Sequence, residues 1–375
     1  MQVTDRGTVL AGRADTEYSS ICFPGVCVTP GGRWLVTLRA APTKQAVVPQ
    51  RTLLVRSDDS GATWSDPIEP WRPPAVPGRQ GRFRAGHLTA LGGDRLLAVA
   101  YWVDVSDPSL PFFNEETEGL ADSRVCTSLS ADGGATWSEP QFVDTSPYSM
   151  PTAITGPALL LEDGEWALQF ETNKTYYDPS PWHHESVLMF SADEGRTWPG
   201  HVCVAADPAG RVFYWDQRPG VLPGGRVLDL FWTFDRETAE YLNIHARLSC
   251  DHGRSWSEIW DIGVPGQPAP PVALPDGRLA MVYVDRTGPP QIKVRLTADG
   301  GRTWPEEIEA VVYGESLASQ SRDKGSMQDA WAEMGRFSVG LPATAPLPDG
   351  ELLVVYYAGP QTDLTDVQWA RLRPG

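Results

Sequence analysis

Carboxylates, arginines and aromatic residues gather at one kind of place in this 375-residue chain: the ends of short apolar segments. Glu171 ends one such segment, and Asp216 lies in Tyr214-Trp215-Asp216-Gln217-Arg218. Two carboxylates flanking one bond are the machinery of glycoside hydrolysis, one as acid and the other as base or nucleophile. Glu171 and Asp216 are the expected pair, with Asp104 and Asp235 in reserve. Glu171 stands out because it occupies the position that matches Tyr101, Trp232 and Tyr357 in other segments, so it should point into a partly buried region.

Around these, Arg39, Arg84, His87, Lys174, Tyr177, His184, Trp215, Arg218, Arg236, Arg286, Trp331 and Glu333 are expected to bind substrate. Aromatic rings stack on the apolar face of a pyranose, while charged groups take its hydroxyls or a carboxylate. The arginines outnumber what a neutral sugar needs, which points to an acidic sugar or glycan. Asp235-Arg236 and Asp285-Arg286 equally fit plain ion pairs across loops. His183-His184 fits a solvated loop pair better than a metal site. No metal-ligand spacing occurs, and no metal or cofactor is expected.

The elements that must position these residues are repeats. Five segments share Ser/Thr-x-Asp-x-Gly-x-Thr/Ser-Trp, with aspartates Asp59, Asp132, Asp193, Asp251 and Asp299. Their intervals of 73, 61, 58 and 48 residues suit a four-stranded blade with variable loops. The Asp side chain can accept hydrogen bonds from nearby backbone amides. The Gly can take the positive φ of a tight turn, and the Trp ring can pack on the blade.

A second repeat, a Gly/Asp turn followed by an apolar strand, occurs six times: Arg33–Arg39, Arg95–Tyr101, Glu165–Glu171, Arg226–Trp232, Arg278–Val284 and Glu351–Tyr357. Their continuous apolar character suggests burial on both faces, as between stacked blades. Six hairpins against five boxes predict that the last blade lacks the motif. Its fourth strand should come from the N-terminus, with Thr8–Ala11 against Val367–Leu372, so that no ring edge stays open. The expectation is an all-β, six-bladed propeller of four-stranded antiparallel blades, one domain over 1–375. The boxes should lie on the face opposite the loops that carry the candidate site.

Boxes in this context resemble the sialidase superfamily of BNR/Asp-box propellers, and the resemblance covers nearly the whole chain. It implies a glycan-acting β-propeller. It also implies three arginines on a substrate carboxylate, a Tyr nucleophile activated by Glu, and an Asp acid/base. The chain departs from that set. Cys22 stands where the first Arg is expected, in Ile21-Cys22-Phe23-Pro24. The loop Ala40–Lys44 has no carboxylate for the Asp, and Phe337–Leu341 has no Tyr. Arg236 and Arg286 match the other arginines by approximate position. The expected function is therefore a glycoside hydrolase on an acidic sugar, not a standard sialidase. The alternatives are a polysaccharide lyase with His87, His184 or Tyr177 as base and Arg84 on a uronate, and a non-catalytic glycan-binding propeller.

Net charge is −17, which disfavours nucleic acid and anionic membranes as partners. No stretch of about 18 apolar residues appears, and the N-terminus lacks an apolar signal core, so the expected location is cytoplasmic. The five cysteines are scattered and read as reduced thiols. Oligomeric state is not legible in the sequence.

Overall fold

The computed structural model describes residues 1–151, 154–314 and 324–375. The protein is an all-β propeller, and among the described residues the strands form five sheets. One sheet runs Gly81–Gly92, Arg95–Asp104, Ser123–Ser130 and Gln141–Phe142; the next runs Leu159–Leu160, Trp166–Glu171, Glu185–Ser191 and Gly200–Ala206. A third is built on Val212–Leu222 and Arg226–Asp235, and a fourth on Gln267–Pro268 and Leu279–Asp285. The fifth has seven strands. It joins Ser20–Val28, Trp34–Ala41 and Arg51–Ser57 to Val339–Pro346, Leu352–Gln361 and Leu364–Arg373, through one parallel pair, Ser20 with Thr365.

All six apolar segments of the second repeat are strands, buried almost throughout. Apolar clusters between sheets explain their unbroken hydrophobicity. Leu97, Val99 and Tyr101 pack on Leu168 and Phe170, for example. The seven-stranded sheet also packs on itself, with Val36 and Leu38 sharing a cluster with Leu353, Val355 and Tyr357.

The N-terminal strand Gln2–Leu10 pairs antiparallel with Leu364–Arg373, Thr8 opposite Gln368 and Leu10 opposite Val367. The pairing is longer than the sequence predicts. It extends down to Gln2 because residues 2–6, polar and exposed apart from the half-buried Val3, continue an outer-edge strand whose hydrogen bonds need few apolar side chains.

The repeated boxes form the turns expected of them. In the second, Ser130 Oγ donates to Asp132 at 2.9 Å, the Thr136 amide donates to the same carboxylate at 2.8 Å, and the Gly134 amide donates to Ser130 at 2.9 Å. The Thr136 hydroxyl, its amide and Ser130 together pull Asp132 down to about 2. Four of the box tryptophans donate their indole N–H to the carbonyl of the motif glycine, as Trp256 does to Gly253 at 3.0 Å. Gly61 adopts φ +89°, and a Cβ there would stand 2.7 Å from both Trp34 and Trp369. After the first box the fourth strand shrinks to one bridge, Leu54 with Ile68. Cys22, Cys27 and Cys126 are buried thiols, while Cys203 and Cys250 are exposed. Among the described residues no helix is long and apolar enough to cross a membrane.

Candidate functional site

The first strand of each sheet packs against the first strand of the next, so these strands surround the centre. Four of them break register at one level: between Cys22 and Gly25, Phe83 and Ala85, Trp215 and Arg218, and Gly340 and Ala343. A bulge re-aims the residue it inserts. Three of the bulged residues, Phe23, Asp216 and Leu341, hold positive φ values of 54°, 48° and 42°. Such a backbone is costly for residues with a Cβ, and it concentrates at functional sites.

At this level lies a cavity of about 530 Å³ reached by residues of all five sheets. Its wall is strongly aromatic: Phe23, Phe112, Phe113, Trp182, Trp215, Trp232, Trp331, Phe337 and Tyr357. Trp331 stacks on Phe113 at 4.2 Å, and Trp215 stacks on Phe234 at 4.7 Å. Trp331 comes from the helix Met327–Met334, whose Ser326 N-cap accepts from the Asp329 amide at 3.1 Å. No box residue lines the cavity.

Both carboxylates of the expected pair line it. Glu171 accepts from the Gln217 amide at 3.0 Å, and His184 Nε2 lies 3.3 Å from its other oxygen. Asp216 accepts from the Gln267 side-chain amide, and Arg218 approaches it at 3.6 Å. Arg286 donates to Gln267 at 2.8 Å and to the Val339 carbonyl at 2.9 Å, with its guanidinium 4.0 Å from the Phe337 ring centre. Burial pushes Arg218 and Arg286 below the ordinary arginine value. Burial and the Arg218 charge push His87 down to about 3, so it is neutral; its Nε2 sits 3.2 Å from the Ile154 carbonyl. Behind the wall, burial raises Asp229 well above the usual carboxylate range; it accepts from Gln217 at 2.8 Å.

Of the residues singled out in the sequence, Glu171, Asp216, Arg84, His87, Trp215, Arg218, Arg286 and Trp331 converge on the cavity. The others do not line it. Asp104 is drawn to Arg79 at 2.7 Å and to Ser106, and Asp235 is gripped by Arg211 at 2.7 Å. Arg236 pairs with Glu118 at 2.6 Å. Arg39 is fully buried and donates to Gln50, Lys44 O and Ala46 O, holding the loop that follows its strand. Lys174 donates to the Ser180 carbonyl within its own loop, and Tyr177 is 71% exposed. Glu333 is buried near Lys324 at 3.3 Å and does not line the cavity. His184 sits behind Glu171 and touches it without lining the wall.

Lys44, Phe23, Phe112, Phe113, Gln267 and Phe337 line the cavity and were not foreseen as ligands. Lys44 Nζ donates to the Met334 carbonyl at 2.7 Å, the Phe337 carbonyl at 2.8 Å and the Tyr357 hydroxyl at 3.0 Å. Among the described residues no cluster of three His, Cys, Asp or Glu side chains could hold a metal ion.

A BNR repeat-like domain matches residues 102–312. A sialidase of Micromonospora viridifaciens is 26% identical over 335 residues, covering 80% of this chain. The chain spans about half of that relative's length, 47%. A Dyadobacter fermentans protein of unknown function superposes with a TM-score of 0.73 at 20% identity, covering 99% of this chain and 98% of the other. The intramolecular trans-sialidase of Ruminococcus gnavus, in complex with oseltamivir carboxylate, superposes with a TM-score of 0.65 at 13% identity over 98% of each chain. The structural likenesses speak to fold alone; with the domain match over more than half of its length, the chain belongs to the BNR repeat-like family of sialidase-type propellers.

Proposed function

We propose that this protein is a glycoside hydrolase for an acidic sugar or glycan, working with Glu171 and Asp216. The observation that carries the reading is the cavity's make-up: two carboxylates and the cations Lys44, Arg84, Arg218 and Arg286 inside an aromatic wall. Rings of that kind suit the apolar face of a sugar, and the cations suit its acid group. In this reading Glu171 delivers a proton to the leaving oxygen and recovers one through His184. Asp216 takes the proton of the attacking water, or attacks the sugar carbon itself. Hydrolysis breaks the glycosidic C–O bond, with hydroxyl going to the sugar carbon and hydrogen to the departing alcohol.

A standard sialidase reaction is a poor fit. Cys22 is buried at the position expected for arginine, and Phe337 has no hydroxyl. The nearby Tyr357 is pushed further up by burial, which weakens it as a nucleophile. A lyase fits less well, because His87 at about 3 is a feeble base and Tyr177 stands outside the cavity. Counting the two self-packed halves of the seven-stranded sheet as separate blades, we read one six-bladed domain over 1–375. An experimental structure with any other blade count would overturn that reading.

The test is a screen of acidic and neutral glycans with wild type, Glu171→Gln and Asp216→Asn. Each variant should keep its fold and lose ~100-fold or more in kcat. Turnover that survives both substitutions together would reject this pair of carboxylates.

A further inference from the structure

The positive groups in the cavity are not equally compensated. Arg218 and Arg286 each have Asp216 among the charges that stabilise them, and both hold hydrogen-bonding or ion-pair partners. Arg84 does not. It comes from the bulge in Gly81–Gly92 and lines the cavity, yet among the described residues it makes no hydrogen bond and no ion pair, and its Nη1 is buried without a partner. Its guanidinium is held by faces alone, 4.6 Å from the Phe112 ring centre and 5.7 Å from that of Phe23. The strongest side-chain charge acting on it is another cation, Arg39, opposed by Cys22 and Tyr101. Burial and that cation push Arg84 down to about 9, so it is still charged at neutral pH.

A partly buried cation beside a second cation is costly unless an anion completes it. Rings that flank a guanidinium fix its plane and leave its edge for a planar acceptor, which a carboxylate matches with two parallel hydrogen bonds. Lys44 lines the same cavity and shares these surroundings, since Arg84, Arg39 and Arg286 all act on it electrostatically. Glu171 and Asp216 come from other sheets, on strands Trp166–Glu171 and Val212–Leu222, and would repel an acid group placed beside them.

We propose that Arg84, backed by Lys44, is the anchor for the substrate carboxylate, so that an acidic sugar lies across the cavity with its acid group on Arg84 and its scissile end at Glu171 and Asp216. This rests on the acidic-glycan reading above and names the residue that selects the acid.

The experiment compares glucuronate, galacturonate and N-acetylneuraminate with their methyl esters by calorimetric titration. Wild type should bind at least one acid, and its methyl ester ~30-fold or more weakly. Arg84→Met should erase that difference, Arg84→Lys should restore part of it, and Asp104→Asn, outside the cavity, should keep it. If Arg84→Met prefers the acid as strongly as wild type does, the anchor is wrong while the acidic-glycan reading stands. If wild type binds acid and ester alike, or binds no acid, both are overturned. The acid-to-ester comparison on wild type needs no variant, so a misfolded Arg84→Met would still leave the proposal exposed to failure.

Discussion

Lys44 carries the plainest pH signature in the cavity. Burial drags its ammonium from near 10.5 to about 7, helped by the Arg286, Arg84 and Arg39 charges and opposed by Cys22. Over that range Tyr357 is pushed up, His87 is neutral, and Arg84, at about 9, stays mostly charged. A sugar acid is ionised above about pH 4. Its affinity should therefore be flat below pH 6 and fall by up to ~tenfold as pH climbs through 7 to 8.5, where Lys44 loses its proton. Titrations of wild type and Lys44→Met across that range check this; the variant should be weaker and flat. The linkage to folding has the opposite sense. The folded value lies below the unfolded one, so the unfolded chain binds more protons between about 7 and 10. Stability should rise with pH over that window. Nothing in the sequence marks Lys44, because its surroundings come from carbonyls at Met334 and Phe337, far along the chain. Glu171 was legible because a carboxylate closing an apolar strand is hard to place elsewhere. Asp104 and Asp235 stood in reserve at other strand ends, and the reach of Arg79 and Arg211 draws them away from the cavity.

Strands were the legible elements, and their bulges were not. Alternation and turn residues mark where a hairpin begins, but an extra residue in a strand leaves the apolar pattern nearly intact on either side. Asp216 was assigned to the site from its place ahead of a strand; the structure adds that it owes its direction to a bulge held at φ 48°. A residue with a Cβ in that conformation costs on the order of 1 kcal/mol relative to glycine. Asp216→Gly should thus keep or raise stability, by up to roughly 1 kcal/mol, while activity falls with Asp216→Asn. Chemical denaturation beside a rate assay measures both. A stability loss above about 1 kcal/mol would mean that the Gln267 and Arg218 contacts outweigh the backbone strain. The short helix Met327–Met334 went unrecognised for a different reason. Eight residues give too few turns for a periodic signal, and its Ser326-x-x-Asp329 cap is a weak pattern taken alone.

At the scale of the whole molecule, the cavity exists only while the sheets stay arranged around it, and one pairing joins the two ends of the chain. Gln2–Leu10 contributes little apolar burial: Val9 is its one buried side chain, and Met1 and Val3 pack only partly on a cluster. Its worth lies in the backbone ladder with Leu364–Arg373, which would otherwise present a ten-residue edge of unpaired amides and carbonyls. Deleting residues 1–10 should therefore cost on the order of 2–4 kcal/mol and leave a chain prone to edge-to-edge association. The loss should reach the cavity as well, because Leu364–Arg373 also pairs with Leu352–Gln361, whose Tyr357 hydroxyl receives Lys44. Denaturation midpoints, light scattering and acid-sugar binding on the truncated protein check this together. A synthetic peptide of residues 1–10 added in trans should recover part of the stability. If the truncated protein stays monomeric with an unchanged midpoint, the terminal strand is a passive cover and the ring closes without it.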